Sequence, residues 1–253
     1  MIYMDKKKTK DFVKRRYSEI ARTQGSCCPS CRCSEDLSEI GKKIGYSEEE
    51  LGNVPEAANM GLGCGNPTAL ASLKKGETVL DLGSGGGIDV FLAAKKVGPK
   101  GKVIGVDMSE AMLERAASNA AENGYKNVEF RLGEIEKLPV SDGAVDVIIS
   151  NCVINLSTDK NQVFREAYRV LKPGGRLMVS DLVTEGEIPE KVKRSFDAWA
   201  VCIGGALEKQ EYLQAISNAG FQGVRIASEA SYEIDVSEEL KGKITSVHVE
   251  AHK

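Results

Sequence analysis

A chain of 253 residues that is 42% hydrophobic and 28% charged is sized for one large domain or two small ones, which excludes a disordered or fibrous polypeptide. Its 34 Lys and Arg against 37 Asp and Glu leave a formal charge of −3, so no cationic excess exists to neutralise a nucleic-acid backbone or an anionic membrane surface. Seven cysteines form an odd set, which points to thiol or metal chemistry in a reducing compartment more than to a disulfide frame.

Met1 to Lys14 carries Lys6, Lys7, Lys8 and Lys10 but no apolar core of a secretory signal, and no later run is long enough to span a bilayer. A soluble, cytoplasmic protein is expected. Phe12, Val13, Tyr17, Ile20 and Ala21 recur on one side of a helix over 5–22, with the lysines as its solvated face. Four thiols follow, Cys27, Cys28, Cys31 and Cys33, and Ser47 with Glu50 has the pattern of a capping box. Residues 1–60 are read as a helical, Cys-rich N-terminal segment, and 61–253 as the main domain.

From Thr78 short apolar strands alternate with helical patterns, the signature of a parallel sheet covered on both faces. Strands are predicted at Thr78 to Leu82, Lys102 to Asp107, Val128 to Leu132, Val145 to Ser150 and Arg176 to Ser180. Helices are predicted at Ile88 to Lys96, Glu110 to Asn123, Lys160 to Leu171, Lys191 to Val201 and Lys209 to Ala219. Gly223 to Ser228 and Ile244 to His252 alternate and close the chain as an antiparallel pair.

The stretch Asp81-Leu82-Gly83-Ser84-Gly85-Gly86-Gly87 follows a strand and opens a helix, so its glycines permit a tight turn and close approach of a ligand to the backbone. It departs from the dinucleotide fingerprint, because Ile88 stands at the third glycine and Asp81 lies inside the strand. Asp107 ends the second strand, where a carboxylate can accept hydrogen bonds from two ribose hydroxyls. Gly133-Glu134-Ile135-Glu136 follows the third strand, within reach of a base laid across the strand ends. Lys172-Pro173-Gly174-Gly175 ends a helix before the fifth strand. Each glycine cluster alone is an ordinary turn; their order together indicates a nucleoside ligand.

This order resembles the class I S-adenosylmethionine-dependent methyltransferases over roughly residues 70–253. The resemblance implies an α/β, Rossmann-like fold with a seven-stranded, mostly parallel sheet whose last strand is antiparallel. It places the methionine part of the cofactor on Gly83, Ser84, Gly85 and Gly87, the ribose on Asp107, and adenine near Met108, Glu134 and Ile135, with Asp81 and Asn151 completing the set. A sulfonium cation suits the acidic lining better than a pyrophosphate, which Asp81 would repel.

The other three thiols stand in Gly61-Leu62-Gly63-Cys64-Gly65-Asn66-Pro67, Ser150-Asn151-Cys152-Val153-Ile154-Asn155-Leu156 and Cys202-Ile203-Gly204-Gly205-Ala206. A helix start marked by Asn66 and Pro67 should help Cys64 ionise. Free cysteine usually packs in cores, but glycines around Cys64 and at Gly204-Gly205 supply no side chain to fill space. Convergence on one soft ion is the better account. The three stretches resemble those of the arsenite S-adenosylmethionine methyltransferases. That likeness implies a trivalent arsenic held by the thiolates of Cys64, Cys152 and Cys202, with arsenite or its thiol complex as substrate. Three soft thiolates suit a pyramidal centre whose fourth direction holds a lone pair. That lone pair is the nucleophile and needs positioning but no general base, and His248 and His252 are read as exposed, alternating strand positions.

Each transfer formally oxidises arsenic by two electrons. Cys27, Cys28, Cys31 and Cys33 can return them through a disulfide with Cys64; the family implies such a relay, reset by thioredoxin or glutathione, while Cys28-x-x-Cys31 also keeps zinc open. Members of that family commonly carry an aromatic residue before the Gly-Cys-Gly turn, where this chain has Met60-Gly61-Leu62, and whether Tyr17 of the first helix covers the cofactor stays open. Larger members add a C-terminal domain, and the catalytic parts are expected to be complete without it. A monomer with no nucleic-acid or membrane partner is expected. Two other readings stay open: an O-, N- or C-methyltransferase of small molecules whose cysteines only pack, and a metalloid-binding protein without catalysis.

Overall fold

The computed structural model describes residues 5–23, 37–66, 72–232 and 238–253. Cys27, Cys28, Cys31, Cys33 and the helix start expected at Pro67 lie outside these residues. Among the described residues the N-terminal segment forms α1 (Lys6–Thr23), α2 (Leu37–Ile44) and α3 (Glu48–Gly52). Ser47 and Glu50 make the reciprocal capping box at the start of α3.

The main domain then runs β1 (Thr78–Leu82), α4 (Ile88–Val97), β2 (Lys102–Asp107), α5 (Glu110–Glu122), β3 (Val128–Leu132), β4 (Val145–Asn151), α6 (Lys160–Val170) and β5 (Leu171–Thr184). It continues through α7 (Glu190–Lys193), α8 (Phe196–Ala200), α9 (Lys209–Asn218), β6 (Gln222–Ser231) and β7 (Ile244–His252). The seven strands lie in the order β3-β2-β1-β4-β5-β7-β6. β7 alone runs against the direction of the other six strands. Successive residues of a strand face opposite sides: Val79 is buried among Val90, Ala93 and Val97 of α4, and Leu80 with Val163 and Phe164 of α6. On that second face the rings of Phe164 and Tyr212 meet edge-on at 5.5 Å. Truncating so buried a ring costs about 3–5 kcal/mol.

The strand order reverses between β1 and β4, which opens a crevice at their carboxyl ends, the place where ligands bind in sheets of this kind. α1 docks beside that crevice. Ile20 and Ala21 pack with Met60, Ala111 and Met112, and Phe12 stacks on Phe196 at 5.1 Å.

Several elements differ from expectation. The helix predicted at Lys191 to Val201 is broken into α7 and α8, because the Ser195 hydroxyl accepts the Ala198 N–H at 3.2 Å and starts a new helix. α6 ends at Val170 because Pro173 disfavours helical backbone before it. β5 therefore starts early, at Leu171, with a register shift opposite Val145 and Val147, and it runs on through Asp181 to Thr184. Among the described residues no helix is long and apolar enough to cross a membrane.

Candidate active site

The pocket at the strand ends is floored by Asp81, Gly83, Ser84, Gly85, Asp107 and Met108, and walled by Glu134, Ile135, Asn151, Cys152 and Cys202. Gly83 and Gly85 hold φ of 69° and 50°, left-handed values that few residues but glycine adopt. Gly87 does not line the pocket; a Cβ there would stand 2.8 Å from the Phe91 ring. The Asp107 carboxylate accepts the Gly85 N–H at 2.9 Å and the Ser109 N–H at 2.8 Å. Ser84 Oγ is buried without a hydrogen-bond partner among the described residues.

Three carboxylates crowd this floor. Burial, together with Asp89 and Asp107, pushes Asp81 well above the usual carboxylate range. Asp89 is raised to about 6 by burial, opposed by hydrogen bonds from Tyr46 and Asn151, and burial likewise raises Asp107 against the pull of its backbone donors. A pocket with this lining fits a cationic ligand, as a sulfonium bearing an ammonium group is. α1 crosses its mouth. Lys10 Nζ meets Glu134 at 2.9 Å and Glu136 at 3.3 Å, so Glu134 is ion-paired. The Tyr17 hydroxyl, also on the pocket wall, donates to the Ala200 carbonyl at 3.2 Å.

Cys64, Cys152 and Cys202 are buried, free, and packed in one cluster with Leu182, Ile188 and Ile244. The sulfurs of Cys64 and Cys152 and an Asp181 carboxylate oxygen lie within 4.8 Å of one another. Cys202 Sγ donates to the Cys152 carbonyl at 2.7 Å. Cys152 and Cys202 line the pocket; Cys64 stands behind Gly63, which does. Ser72, Cys152 and Cys202 are the non-glycine residues with positive φ among those described, the two thiols at 57° and 64°. Such backbone costs of order 1–3 kcal/mol and persists where surrounding contacts enforce it.

One amide holds the turn of the third thiol, Cys64. Asn151 Oδ1 accepts the Cys64 N–H at 2.9 Å, while Nδ2 donates to the Gly65 carbonyl at 2.6 Å and to the Tyr46 hydroxyl at 2.9 Å. Tyr46 in turn donates to Asp89 at 3.0 Å. Asn151 thus clamps the Cys64 turn to the end of β4 and ties it to the acidic floor. A Cβ on Gly63 would come within 2.8 Å of the Asn151 amide, and one on Gly65 within 2.7 Å of His248 Nε2. The Gly204-Gly205 pair has the same cause: a Cβ on Gly205 would meet the Asn155 carbonyl at 2.1 Å. These glycines serve close packing rather than looseness.

Two expectations are corrected. Burial raises the Cys64 thiol instead of promoting its ionisation, and raises Cys152 still further, because an apolar cluster disfavours charge. His248 is half-buried against the Gly65 turn, its pKa lowered by burial, rather than a free surface position.

Sequence reasoning missed Asp181, Lys160, Tyr46 and Asp89. Asp181 Oδ1 accepts the Leu182 N–H at 3.0 Å and Oδ2 the Tyr212 hydroxyl at 3.1 Å; burial raises it to about 7. Lys160 is buried, lowered to about 8 by desolvation against the opposing fields of Asp181 and Cys202. Its Nζ donates to the Ser157 carbonyl at 2.9 Å. The available signal was a carboxylate inside an apolar run, Met178-Val179-Ser180-Asp181-Leu182-Val183 and Ile88-Asp89-Val90-Phe91.

The sheet order, the glycine loop and the acidic floor define a class I, S-adenosylmethionine-dependent methyltransferase domain, and a family model described as a methyltransferase domain matches residues 73–220. Arsenite methyltransferase of Halobacterium salinarum is 42% identical over 98% of this chain and 68% of its own length. The mouse protein of that name is 38% identical over 78% of this chain and 54% of its own length. The crystal structure of an arsenic(III) S-adenosylmethionine methyltransferase from Chlamydomonas reinhardtii superposes with a TM-score of 0.70 at 34% identity, covering 85% of this chain and 73% of that one. The chain belongs to the arsenite methyltransferase family. It spans about two thirds of the haloarchaeal relative and about half of the mouse one.

Proposed function

We propose that this chain methylates trivalent arsenic held by Cys64, Cys152 and Cys202, taking the methyl group from S-adenosylmethionine. The observation that carries the reading is the gathering of three buried thiols from distant segments against the wall of the methyl-donor pocket. Bound cofactor supplies a methyl carbon activated by a positive sulfur. Asp81, Asp89 and Asp107 offset that charge and bind the ribose side, α1 covers the mouth, and the Asn151 clamp sets where the Cys64 sulfur stands relative to Cys152. Burial favours the neutral form of Cys64 and Cys152, and, counted as thiols, the three cysteines give up protons as they take arsenic: three S–H protons leave with the three hydroxides of arsenite as water, or with departing thiols of a thiol complex. The arsenic lone pair then forms the bond to the methyl carbon, and the carbon–sulfur pair stays on the departing sulfur. Positioning is the main requirement of such a step.

Arsenic emerges oxidised by two electrons. Cys27, Cys28, Cys31 and Cys33 are the proposed dithiol source that restores it, closing a disulfide, with thioredoxin or glutathione as external reductant.

The test is incubation of the full chain with arsenite, glutathione and methyl-labelled cofactor. Label in methylated arsenicals is expected, and Cys202→Ser should lower transfer at least about 100-fold while cofactor affinity holds within a few fold. Normal turnover by Cys202→Ser would remove the three-thiol reading. Tight arsenite binding without label transfer would make the protein a sequestering one, and transfer to an organic acceptor that survives Cys152→Ser would make it a small-molecule methyltransferase.

A further inference from the structure

We propose that the thiol cluster is also a binding site for a soft divalent cation, zinc or cadmium, in which Asp181 supplies an oxygen ligand beside the sulfurs of Cys64 and Cys152. The three donor groups are buried, come from separate parts of the fold, and keep their ligand atoms within 4.8 Å of one another. A tetrahedral ion with bonds of about 2.3 Å to sulfur and about 2.0–2.2 Å to oxygen sets its donors roughly 3.5–3.8 Å apart. The side chains need to close by only about 1 Å. Asp181 is already oriented, since its carboxylate accepts hydrogen bonds from the Leu182 N–H, the Tyr212 hydroxyl and the Asn155 backbone, which leaves one of its roughly four lone-pair sites for a metal. Carboxylates held by outer hydrogen bonds in this way are typical of metal sites. Water completes four-coordination.

Charge separates this cation from arsenic. Three thiolates around trivalent arsenic sum to zero, so Asp181 has no charge to supply there and is left balanced by the buried Lys160, in whose field it stands. Two thiolates and one carboxylate around a divalent ion sum to −1, which Lys160 brings to zero. Two S–H protons go to solvent as the cation enters. Both fillings are neutral, as a buried site requires, yet only the divalent ion uses Asp181 as a ligand. The cation and arsenite therefore compete for Cys64 and Cys152; this competition rests on the arsenic reading above, whereas the cation site does not.

Cadmium is the probe, titrated by equilibrium dialysis and by thiolate-to-cadmium ultraviolet absorbance into the full chain carrying Ser at positions 27, 28, 31 and 33. One cadmium per chain is expected. Asp181→Asn should weaken it at least about 10-fold while arsenite affinity stays within about 3-fold, and arsenite should displace the metal. Cys64→Ser, which leaves the buried carboxylate intact, should weaken both ligands and so guards against misfolding of the first variant. Absence of a stoichiometric site, or equal cadmium affinity in Asp181→Asn and the parent, overturns the proposal. Cadmium that depends on Asp181 but is indifferent to arsenite would uphold the cation site and instead remove the arsenic reading of the thiols.

Discussion

Cys152 and Cys202 hold a backbone conformation that L-residues resist, at φ of 57° and 64°, and neither is glycine, which would take it freely. Strain retained at two of three gathered thiols marks side chains that the site needs. Asn151 fixes the third thiol's turn instead, so Asn151→Ala should cost about 1–3 kcal/mol in unfolding free energy. It should lower methyl transfer more than it lowers cofactor affinity, because the amide bonds reach Cys64 and Gly65; denaturant melts and a split of kcat from KM check both parts. Asp89 gives a second prediction. Raised to about 6, it is ionised at pH 7.5 and largely neutral at pH 5, so affinity for the cationic cofactor should fall as pH drops through that window. Asp89→Asn should flatten the profile, read by calorimetric titration. The motif cysteines and the glycine loop were legible from residue order. Asp181, Lys160 and Asp89 were not singled out, since a lone charge in an apolar run shows its partner only when the chain is folded.

At the level of elements, α1 links two ends of the pocket. Lys10 grips Glu134 and Glu136 on the β3 side, and Tyr17 reaches Ala200 at the end of α8, two residues before Cys202. The lysine pair is partly exposed and contributes little by itself. Tyr17→Phe removes a hydrogen bond of about 0.5–1.5 kcal/mol, and should speed cofactor release by roughly 2- to 10-fold in stopped-flow displacement, with little change in the melting midpoint. Strands β1, β2, β3 and β7 were legible to the residue because apolar runs end sharply at Asp, Gly or polar turns. The break before α8 was not: Lys193-Arg194-Ser195-Phe196 contains neither Gly nor Pro, and the apolar spacing carries across the capping serine. That α1 closes the pocket was equally hidden, as amphipathicity says only that one face is covered.

The whole molecule carries an unusual electrostatic load. Asp81, Asp89, Asp107 and Asp181 are all raised by burial. A carboxylate whose folded pKa is raised contributes stability that is present at low pH and lost as pH climbs from the ordinary carboxylate value through the folded one. Asp89 at about 6 and Asp181 at about 7 extend that loss from about pH 4 to about pH 7, and Asp181 accounts for the part above pH 6. Lys160, lowered to about 8, loses its contribution as pH falls through that value and adds little change below it. Carboxylates held down by partners, such as Glu129 at about 2, act only in stronger acid. The ligand-free protein should therefore melt at a higher temperature at pH 6 than at pH 8, and cofactor should narrow the difference; scanning calorimetry at the two values decides it.

Cys152 and Cys202 are separated by 50 residues, and Cys64 precedes the entire parallel sheet. An atom bonded to all three would close two long loops of the polypeptide at once, restricting the unfolded chain much as a pair of covalent bridges would. Occupancy should thus slow the opening of the fold as well as fill its centre, and a protein charged with a toxic metalloid would become harder to degrade until its cargo had been released.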